Sequence, residues 1–209
     1  SVAAMRAFMR MLEDGELTTT SETDNLQPQQ SIYPDQDAPI IRRRKEGGFE
    51  LAALRWGFPP IPGQRAPITN IRNLKSRWWQ DVNREWMIEA EYRCLVPFTA
   101  FAEPVRDSTW FSVPDVEIAY FAGVWRPWHG ERLADQPGKT RRAREERDWE
   151  LFAFLTTEAN DIVRPVHEKA MPAILHTPAD CKAWLSGGVE SLRLQRPLPP
   201  HELEIRKDH

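Results

Sequence analysis

Three polar side chains, each in an apolar or turn-forming segment, have the types needed for proton transfer. Asn70 lies in the segment ITNIRN, and His167 lies in the segment RPVHEKAMP. Glu103 follows the nearly uncharged run from Leu95 to Ala102, where apolar neighbours should raise the pKa of its carboxyl. An amide, a carboxylate and an imidazole can together orient, protonate and deprotonate a reacting group. The three residues are therefore the candidate catalytic set, although they include no nucleophile.

Each of these residues also has an ordinary structural explanation. A lone histidine among apolar residues is often a core group with a satisfied hydrogen bond, and most asparagines serve turns. A glutamate that follows an apolar run can equally lie at an exposed edge. Local sequence leaves both explanations open for Asn70, Glu103 and His167.

The chain has no motif that predicts a metal, a nucleotide cofactor or an acyl-enzyme serine. The patterns HExxH, CxxC, GxSxG, Walker A and GxGxxG are all absent. The two cysteines, Cys94 and Cys181, lie far apart and match neither a disulfide framework nor a metal-ligand spacing, which is typical of a reducing compartment. We therefore expect no cofactor and no metal.

The elements that must position the candidate residues are short strands mixed with a few helices. Runs rich in β-branched or aromatic residues predict strands at residues 39–44, 49–56, 93–97, 111–113, 120–125 and 151–156. Apolar periodicity after Ser1 predicts an N-terminal helix, and Thr177 followed by Pro178 predicts a later one. Strands and helices do not alternate regularly. The pattern predicts a single α+β domain over residues 1–209, built on an antiparallel, barrel-like β-sheet with a few flanking helices.

The stretch at residues 126–149 differs from its surroundings in polarity. It contains Gly130, the pair Pro137-Gly138 and a highly charged run from Lys139 to Asp148. Such a stretch is too polar to bury and too long for a tight turn. We therefore predict a mobile loop or an exposed helix here.

Composition restricts the partners and the compartment. Of the 209 residues, 41% are hydrophobic, which is enough for one substantial core. The formal net charge is -3 and the pI is near 6.0, so a polyanion would have to meet a local basic patch. No apolar run is long enough to span a bilayer. We expect a soluble, cytoplasmic monomer without membrane contact.

Six short motifs occur in order along residues 33–185. They are Arg55-Trp56-Gly57, Thr69-Asn70-Ile71-Arg72-Asn73, Arg93-Cys94-Leu95-Val96-Pro97, Phe121-Ala122-Gly123-Val124-Trp125, Thr156-Thr157-Glu158-Ala159-Asn160 and the segment from Pro165 to Pro172. This ordered set strongly resembles the SOS-response-associated peptidase (SRAP) family. The resemblance implies an SRAP-like fold for most of the chain.

The resemblance also implies a sensor of abasic sites in single-stranded DNA. Members of the family form a DNA–protein crosslink through the cysteine that is exposed when the initiator methionine is removed. The amine and thiol of that cysteine close a thiazolidine ring on the sugar aldehyde, which protects an imine that would otherwise hydrolyse. The peptidase in the family name would then refer to removal of the protein's own methionine.

The resemblance also implies a role for individual residues within the motifs. Asn70 would position the N-terminal cysteine, Glu103 would shuttle protons, and His167 would assist opening of the sugar ring. Arg72 would hold a phosphate beside the lesion. A grip on the DNA backbone without base readout suits a sensor that accepts any sequence. Weaker candidates for the same DNA-binding groove are Arg55, Lys75, Arg77 and Thr156.

The chain departs from the family pattern most seriously at the nucleophile, because neither Cys94 nor Cys181 opens the sequence. We expect a Met-Cys start a short distance upstream of Ser1. Two further differences, at residues 32–35 and 60–63, concern the geometry of the substrate site. The proline that follows Glu103 also replaces an aromatic residue common in the family.

Two other functions remain open. The first is a non-catalytic module of phage or mobile-element origin, which binds single-stranded DNA and keeps the pocket without the nucleophile. The second is a general peptidase that pairs Cys94 with His167. This peptidase requires a Cys94 thiol that is accessible to solvent.

Overall fold

Five strands from both halves of the chain close into a barrel. This computed structural model describes residues 1–12, 15–24, 26, 27, 29, 31–103, 108–134 and 142–206. In chain order, the helices and strands are α1 (Val2–Met9), β1 (Leu17–Thr19), β2 (Asp37–Arg43), β3 (Phe49–Trp56), β4 (Asn70–Ile71), α2 (Arg84–Ile88), β5 (Arg93–Phe98), β6 (Phe101–Glu103), β7 (Thr109–Ser112), β8 (Ala119–Ala134), β9 (Ala143–Thr157), β10 (Met171–Pro172), β11 (Ile174–Leu175), α3 (Pro178–Leu185) and β12 (Glu204–Ile205). Short π-helical or 3₁₀ turns lie at Trp78–Val82, Ala90–Tyr92, Glu190–Leu194 and Pro200–Glu202.

The barrel follows the order β3, β2, β5, β8 and β9, and each of these neighbours is antiparallel. It closes through a parallel pairing of β3 with β9, in which Arg55 lies opposite Leu151 and Trp56 lies opposite Phe152. The predicted α+β domain with a barrel-like sheet is therefore confirmed. The barrel is mixed because its closing pair runs parallel.

Apolar side chains cover both faces of the barrel wall, which explains why the strands lack a simple apolar–polar alternation. The neighbours Ile40 and Ile41 point to opposite faces, and both are fully buried. On one face lies a first core that includes Met9 of α1 and Trp184 of α3. On the other face lies a second core that includes Phe101 of β6.

Both predicted terminal helices form with the expected caps. The Ser1 hydroxyl accepts a hydrogen bond from the amide of Ala4 at the start of α1. The Thr177 hydroxyl does the same for the amide of Asp180 in α3, whose first residue is a proline. In the described part of the chain, no helix is long and apolar enough to cross a membrane.

The prediction of a mobile loop or exposed helix at residues 126–149 is wrong for most of that stretch. Residues 126–134 continue β8, and residues 143–149 begin β9, so the two strands form a long ribbon that extends beyond the barrel. A two-stranded ribbon pairs the backbone groups that face its partner strand and leaves the outer ones to water, so a polar and partly exposed segment can form it. Trp128 and Trp149 face each other across the ribbon. Residues 135–141 lie outside the described residues.

A second, three-stranded sheet carries the candidate carboxylate. It runs in the order β12, β7 and β6, with Glu103 as the last residue of β6. Side chains two positions apart share one face of a strand, so Glu103 lies on the same face as Phe101. Phe101 belongs to the second core. This sheet therefore places Glu103 at the border of that core.

Candidate active site

The structure brings Glu103 and His167 into contact, although they are far apart in sequence. Nδ1 of His167 lies 3.2 Å from Oε2 of Glu103. Their side chains keep 38% and 25% of their surface exposed, so both can reach a substrate. Nδ1 of His167 has no aligned hydrogen-bond partner among the described residues, so the contact with Glu103 is a close approach of two polar groups.

The environment of Glu103 favours proton transfer. Burial raises the pKa of the Glu103 carboxyl, and the neighbouring His167 imidazole partly opposes this effect. A carboxyl whose pKa is moved towards neutral can act as an acid in one step and as a base in the next. The expectation that apolar neighbours would raise this pKa agrees with the geometry of the site.

A turn organised by Asn160 presents His167 to the carboxylate. The side-chain oxygen of Asn160 accepts hydrogen bonds from the amides of Ile162 and Val163, at 3.1 and 3.0 Å. The carbonyl of Val163 then accepts the amide of His167 at 2.9 Å. Asparagine is a common turn-former of this kind. The motif that ends at Asn160 is visible in the sequence, but this structural role depends on the fold.

Asn70 lies on the same side of the barrel wall as the second core. It pairs in parallel with Phe154 of β9, while its neighbour Ile71 points into the first core. A row of aromatic rings extends from Phe154 through Phe121 to Phe101, with ring centres 4.7 and 5.9 Å apart. This row connects β9, the strand that pairs with Asn70, with the strand that carries Glu103. Asn70 itself is exposed at the edge of the row.

Arg72 links the asparagine strand to the histidine segment. Its Nη1 donates a hydrogen bond to the carbonyl of Lys169 at 3.1 Å, two residues beyond His167. The rest of the Arg72 side chain is exposed. Thr156 is buried and lies on β9, two residues after the partner of Asn70. The structure therefore places both Arg72 and Thr156 close to the candidate catalytic residues in the fold.

Lys75 and Arg77 are exposed in the segment that follows β4. Arg77 forms an ion pair with Asp81, at 3.2 Å between Nε and Oδ2. Both ends of this pair are largely solvated, so it holds the guanidinium only weakly. Both basic side chains lie within five residues of Arg72 in the sequence and are exposed, as contact with DNA requires.

Arg55 does not belong to this surface. Only 3% of its side chain is exposed, and its Nε lies 3.0 Å from Oδ1 of Asp37. Its Nη1 donates to the carbonyl of Asp35, and the guanidinium lies 5.2 Å from the ring centre of Trp149. The position of Arg55 at the barrel closure buries its charge among protein acceptors. The assignment of Arg55 to the DNA-binding groove is therefore wrong on geometric grounds.

Neither cysteine can serve as an accessible nucleophile. Cys94 and Cys181 are fully buried, and burial raises the pKa of both thiols far above the ordinary range. Cys94 is packed against Gly123, where an added Cβ would lie 2.7 Å from the sulfur. The geometry therefore contradicts the peptidase that would pair Cys94 with His167. In the described ranges, no group of three or more His, Cys, Asp and Glu side chains could hold a metal ion.

Similarity to known proteins extends over nearly the whole chain. The family model described as SOS response associated peptidase (SRAP) matches residues 2–207. No curated protein matches.

Several solved structures have a similar fold. A protein from Bordetella bronchiseptica is 21% identical, with a TM-score of 0.65 over 98% of this chain and 96% of its own. A protein from Bacteroides thetaiotaomicron is also 21% identical, with a TM-score of 0.58 over 83% of this chain and 75% of its own. A phage-related protein from Bordetella bronchiseptica is 21% identical, with a TM-score of 0.53 over 88% of this chain and 85% of its own. At this level of identity, these structures support the fold alone.

Proposed function

Because the chain belongs to the SOS response associated peptidase (SRAP) family, we propose that it binds single-stranded DNA and covalently traps abasic sites. The contact between Glu103 and His167 carries this proposal. Both side chains are half-buried, and Arg72, two residues after Asn70, contacts the segment that follows His167. The site can therefore transfer protons to and from the oxygen atoms on a sugar carbon, while an amide orients the attacking group.

The proposed reaction joins an N-terminal cysteine to the ring-opened sugar of the lesion. The cysteine amine adds to the C1′ aldehyde, and water leaves as the imine forms. Protonated Glu103 supplies the proton to the departing hydroxyl, and His167 transfers the proton that opens the sugar ring. The thiol then adds to the imine carbon and closes the thiazolidine ring. Removal of the initiator methionine would be the only peptidase step.

In the proposed reaction neither Cys94 nor Cys181 is the nucleophile, because both are buried. The start of α1 is joined to the chain just before β8 by a hydrogen bond. The Ser1 hydroxyl donates to Oε1 of Glu117 at 3.1 Å, just before β8. The first residue of β8 pairs with Phe98, and Phe98 contacts the ring of Phe101 on β6.

A denaturing-gel assay tests the proposal directly. The protein, expressed from its native start codon, is mixed with a single-stranded oligonucleotide that carries one abasic site. An undamaged strand of the same sequence is the control. We expect a protein–DNA band that survives denaturation only with the damaged strand.

The main alternative is a module that binds single-stranded DNA without chemistry. The burial of both cysteines favours this alternative if the natural chain supplies no N-terminal cysteine. In that case, the same protein would shift the oligonucleotide on a native gel, and no band would survive denaturation. This result would refute covalent trapping while keeping the DNA-binding surface.

Arg72 and Arg55 should respond differently to replacement by alanine. An exposed Arg72 that contacts phosphate would lose about fivefold in DNA affinity, and the salt slope would fall by about 0.7. Arg55→Ala should instead lower the free energy of unfolding by about 2 kcal/mol, because buried acceptors lose a charged donor. Anisotropy titrations at several salt concentrations and urea unfolding distinguish the two effects. Parent affinity in Arg72→Ala would remove its phosphate role.

The raised pKa of Glu103 predicts a pH-dependent gain in stability for Glu103→Gln. The folded protein holds the Glu103 proton more tightly than the unfolded chain does. Stability from this group is therefore present below the ordinary glutamate pKa and is lost as pH rises through the raised value. Glutamine stays neutral throughout. We expect a Tm a few degrees above the parent at neutral pH, and a difference that disappears in acid.

Thermal unfolding over a pH series measures this difference. Glu168→Gln is the matched control, because Glu168 is exposed beside His167. A Tm difference for Glu103→Gln that stays the same at every pH would show that buried charge is not its cause.

A further inference from the structure

One C-terminal segment contacts the strand of Asn70, the turn before His167 and the strand next to that of Glu103. We call residues 195–206 the C-terminal strap. It begins at the junction of β4 with β9, crosses the turn before His167 and ends as β12 beside the sheet of Glu103. The three elements it joins come from distant parts of the sequence.

The first contact of the strap holds the strand of Asn70. The side-chain amide of Gln195 donates to the carbonyl of Arg72 at 2.8 Å and to the carbonyl of Thr156 at 3.0 Å. A third carbonyl, that of Ile71, lies 3.4 Å away. The carboxamide nitrogen of glutamine has two N–H donors, whereas the carboxamide oxygen only accepts. The nitrogen is therefore the atom that can face a cluster of carbonyl oxygens. Gln195 therefore clamps the end of β4 to β9.

This clamp matters because β4 is only two residues long. Asn70 and Ile71 are its only residues that pair with β9. So short a pairing leaves the backbone of Asn70 and Arg72 weakly fixed by the sheet alone. The two hydrogen bonds of Gln195 add a connection immediately after the paired residues.

The second contact supports the turn before His167, and the third reaches the strand of Glu103 through β7. The carbonyl of Leu198 accepts a hydrogen bond at 2.8 Å from Nδ2 of Asn160, whose side-chain oxygen organises the turn that ends at His167. Further along, β12 pairs with β7, and β7 pairs with β6. Glu103 is the last residue of β6. Leu198 and Leu203 are buried in the second core, which anchors the strap between these contacts.

We propose that the C-terminal strap is the positioning element of the active site, with Gln195 as the residue that sets Asn70 and Arg72 against the Glu103–His167 pair. This inference rests on the proposed function for its chemical readout. Gln195 touches no substrate in this scheme, so it acts through the backbone of β4. A displacement of about 1 Å in a positioning group can cost a large factor in rate, which makes the clamp measurable.

The test compares two single substitutions in the same turn of chain. Gln195→Glu keeps the size of the side chain but replaces both N–H donors with acceptors that face three carbonyls. Arg193→Ala is the control, because Arg193 is exposed at the end of the preceding 3₁₀ turn. Both variants are made in the full chain expressed from its native start codon.

The chemical readout is the single-turnover crosslinking rate at saturating abasic oligonucleotide. Gln195→Glu should lower this rate about tenfold and leave the midpoint of its pH profile unchanged. Arg193→Ala should match the parent. In an Asn70→Ala background, Gln195→Glu should cause a clearly smaller loss than in the parent, because both changes act on Asn70. A loss that multiplies with that of Asn70→Ala would show that Gln195 acts elsewhere, and would overturn the inference.

A second readout separates failure of this inference from failure of the proposed function. Amide hydrogen exchange in peptides that cover residues 68–74 should become about tenfold faster in Gln195→Glu and should stay at the parent rate in Arg193→Ala. If the parent forms no crosslink, the proposed function fails, and exchange alone decides the clamp. Unchanged exchange in Gln195→Glu would overturn the inference whatever the parent does. Faster exchange with an unchanged crosslinking rate would also overturn it.

Discussion

Glu103→Gln is expected to slow crosslinking by about 100-fold or more, which is the usual contribution of a general acid or base. Glutamine keeps the shape of the side chain and its hydrogen-bonding capacity, but it cannot exchange a proton. The group that faces Nδ1 of His167 would then be an amide in place of a carboxyl, so no proton could pass between the two side chains. DNA affinity should change little, since a carboxylate does not hold phosphate.

Single-turnover crosslinking followed on denaturing gels measures this loss. Binding to a strand that carries a non-reactive abasic analogue gives the affinity separately. Glu168→Gln serves as the matched control because it removes a neighbouring, exposed carboxylate. A parent rate in Glu103→Gln would remove the proton-transfer role from this residue.

His167→Ala extends the same prediction to the second member of the pair. Two groups that act as one unit give losses that do not multiply. The double variant Glu103→Gln with His167→Ala should therefore react about as slowly as the slower single variant. Independent, multiplied losses would show that the 3.2 Å contact has no part in the reaction.

Arg93→Ala is expected to cause the largest loss of stability, about 4 kcal/mol in the free energy of unfolding. The Arg93 side chain is fully buried, and its guanidinium lies 3.7 Å from the ring centre of Trp184. It donates hydrogen bonds to the carbonyls of Met87, Trp184 and Gly188 and to the hydroxyl of Ser191. Burial lowers the pKa of Arg93 to about 10, so the group stays charged at neutral pH.

The loss follows from the acceptors that the substitution leaves unpaired, together with the cavity. Urea unfolding should show a lower midpoint with an unchanged m-value. Arg93→Lys keeps the charge but loses the planar fork, and a loss of about 2 kcal/mol is expected for this variant. The stability of Arg93→Lys can still be measured if the alanine variant fails to fold. The exposed Arg84→Ala should change stability by less than about 0.5 kcal/mol. A similarly small change in Arg93→Lys would contradict the prediction.

Arg93 also connects stability to the active site. Its partner Ser191 lies in the 3₁₀ turn that ends immediately before the C-terminal strap. Loosening this turn would displace the start of the strap, where Gln195 holds β4. A fall in crosslinking rate is therefore expected in Arg93→Lys even where the protein stays folded.

Local sequence patterns determined the class of the fold and the types of residue in the site. Apolar runs bounded by turn residues identified the barrel strands, and the caps at Ser1 and Thr177 marked two helices. These features depend on neighbours in the chain, so short windows contain the necessary information. The ordered motifs likewise identified the family that the whole-chain match confirms.

Polarity alone did not distinguish a surface ribbon from a loop. Residues 126–134 and 143–149 are charged because they extend beyond the barrel, yet their backbone groups pair across the ribbon. That pairing joins distant residues, so no short window reveals it. The positive charge of Arg55 suggested a DNA contact, but the side chain is buried. Its partners are the carboxylate of Asp37 and the carbonyl of Asp35.

The sequence by itself determined which side chains could transfer protons: a carboxylate after an apolar run, and an imidazole and an amide in separate motifs. Only the tertiary structure decided that Glu103 meets His167, that both cysteines are buried, and that Gln195 clamps the strand of Asn70. The physical reason is that residue type sets what a group can do, whereas pKa and reach depend on burial and on contacts between distant segments.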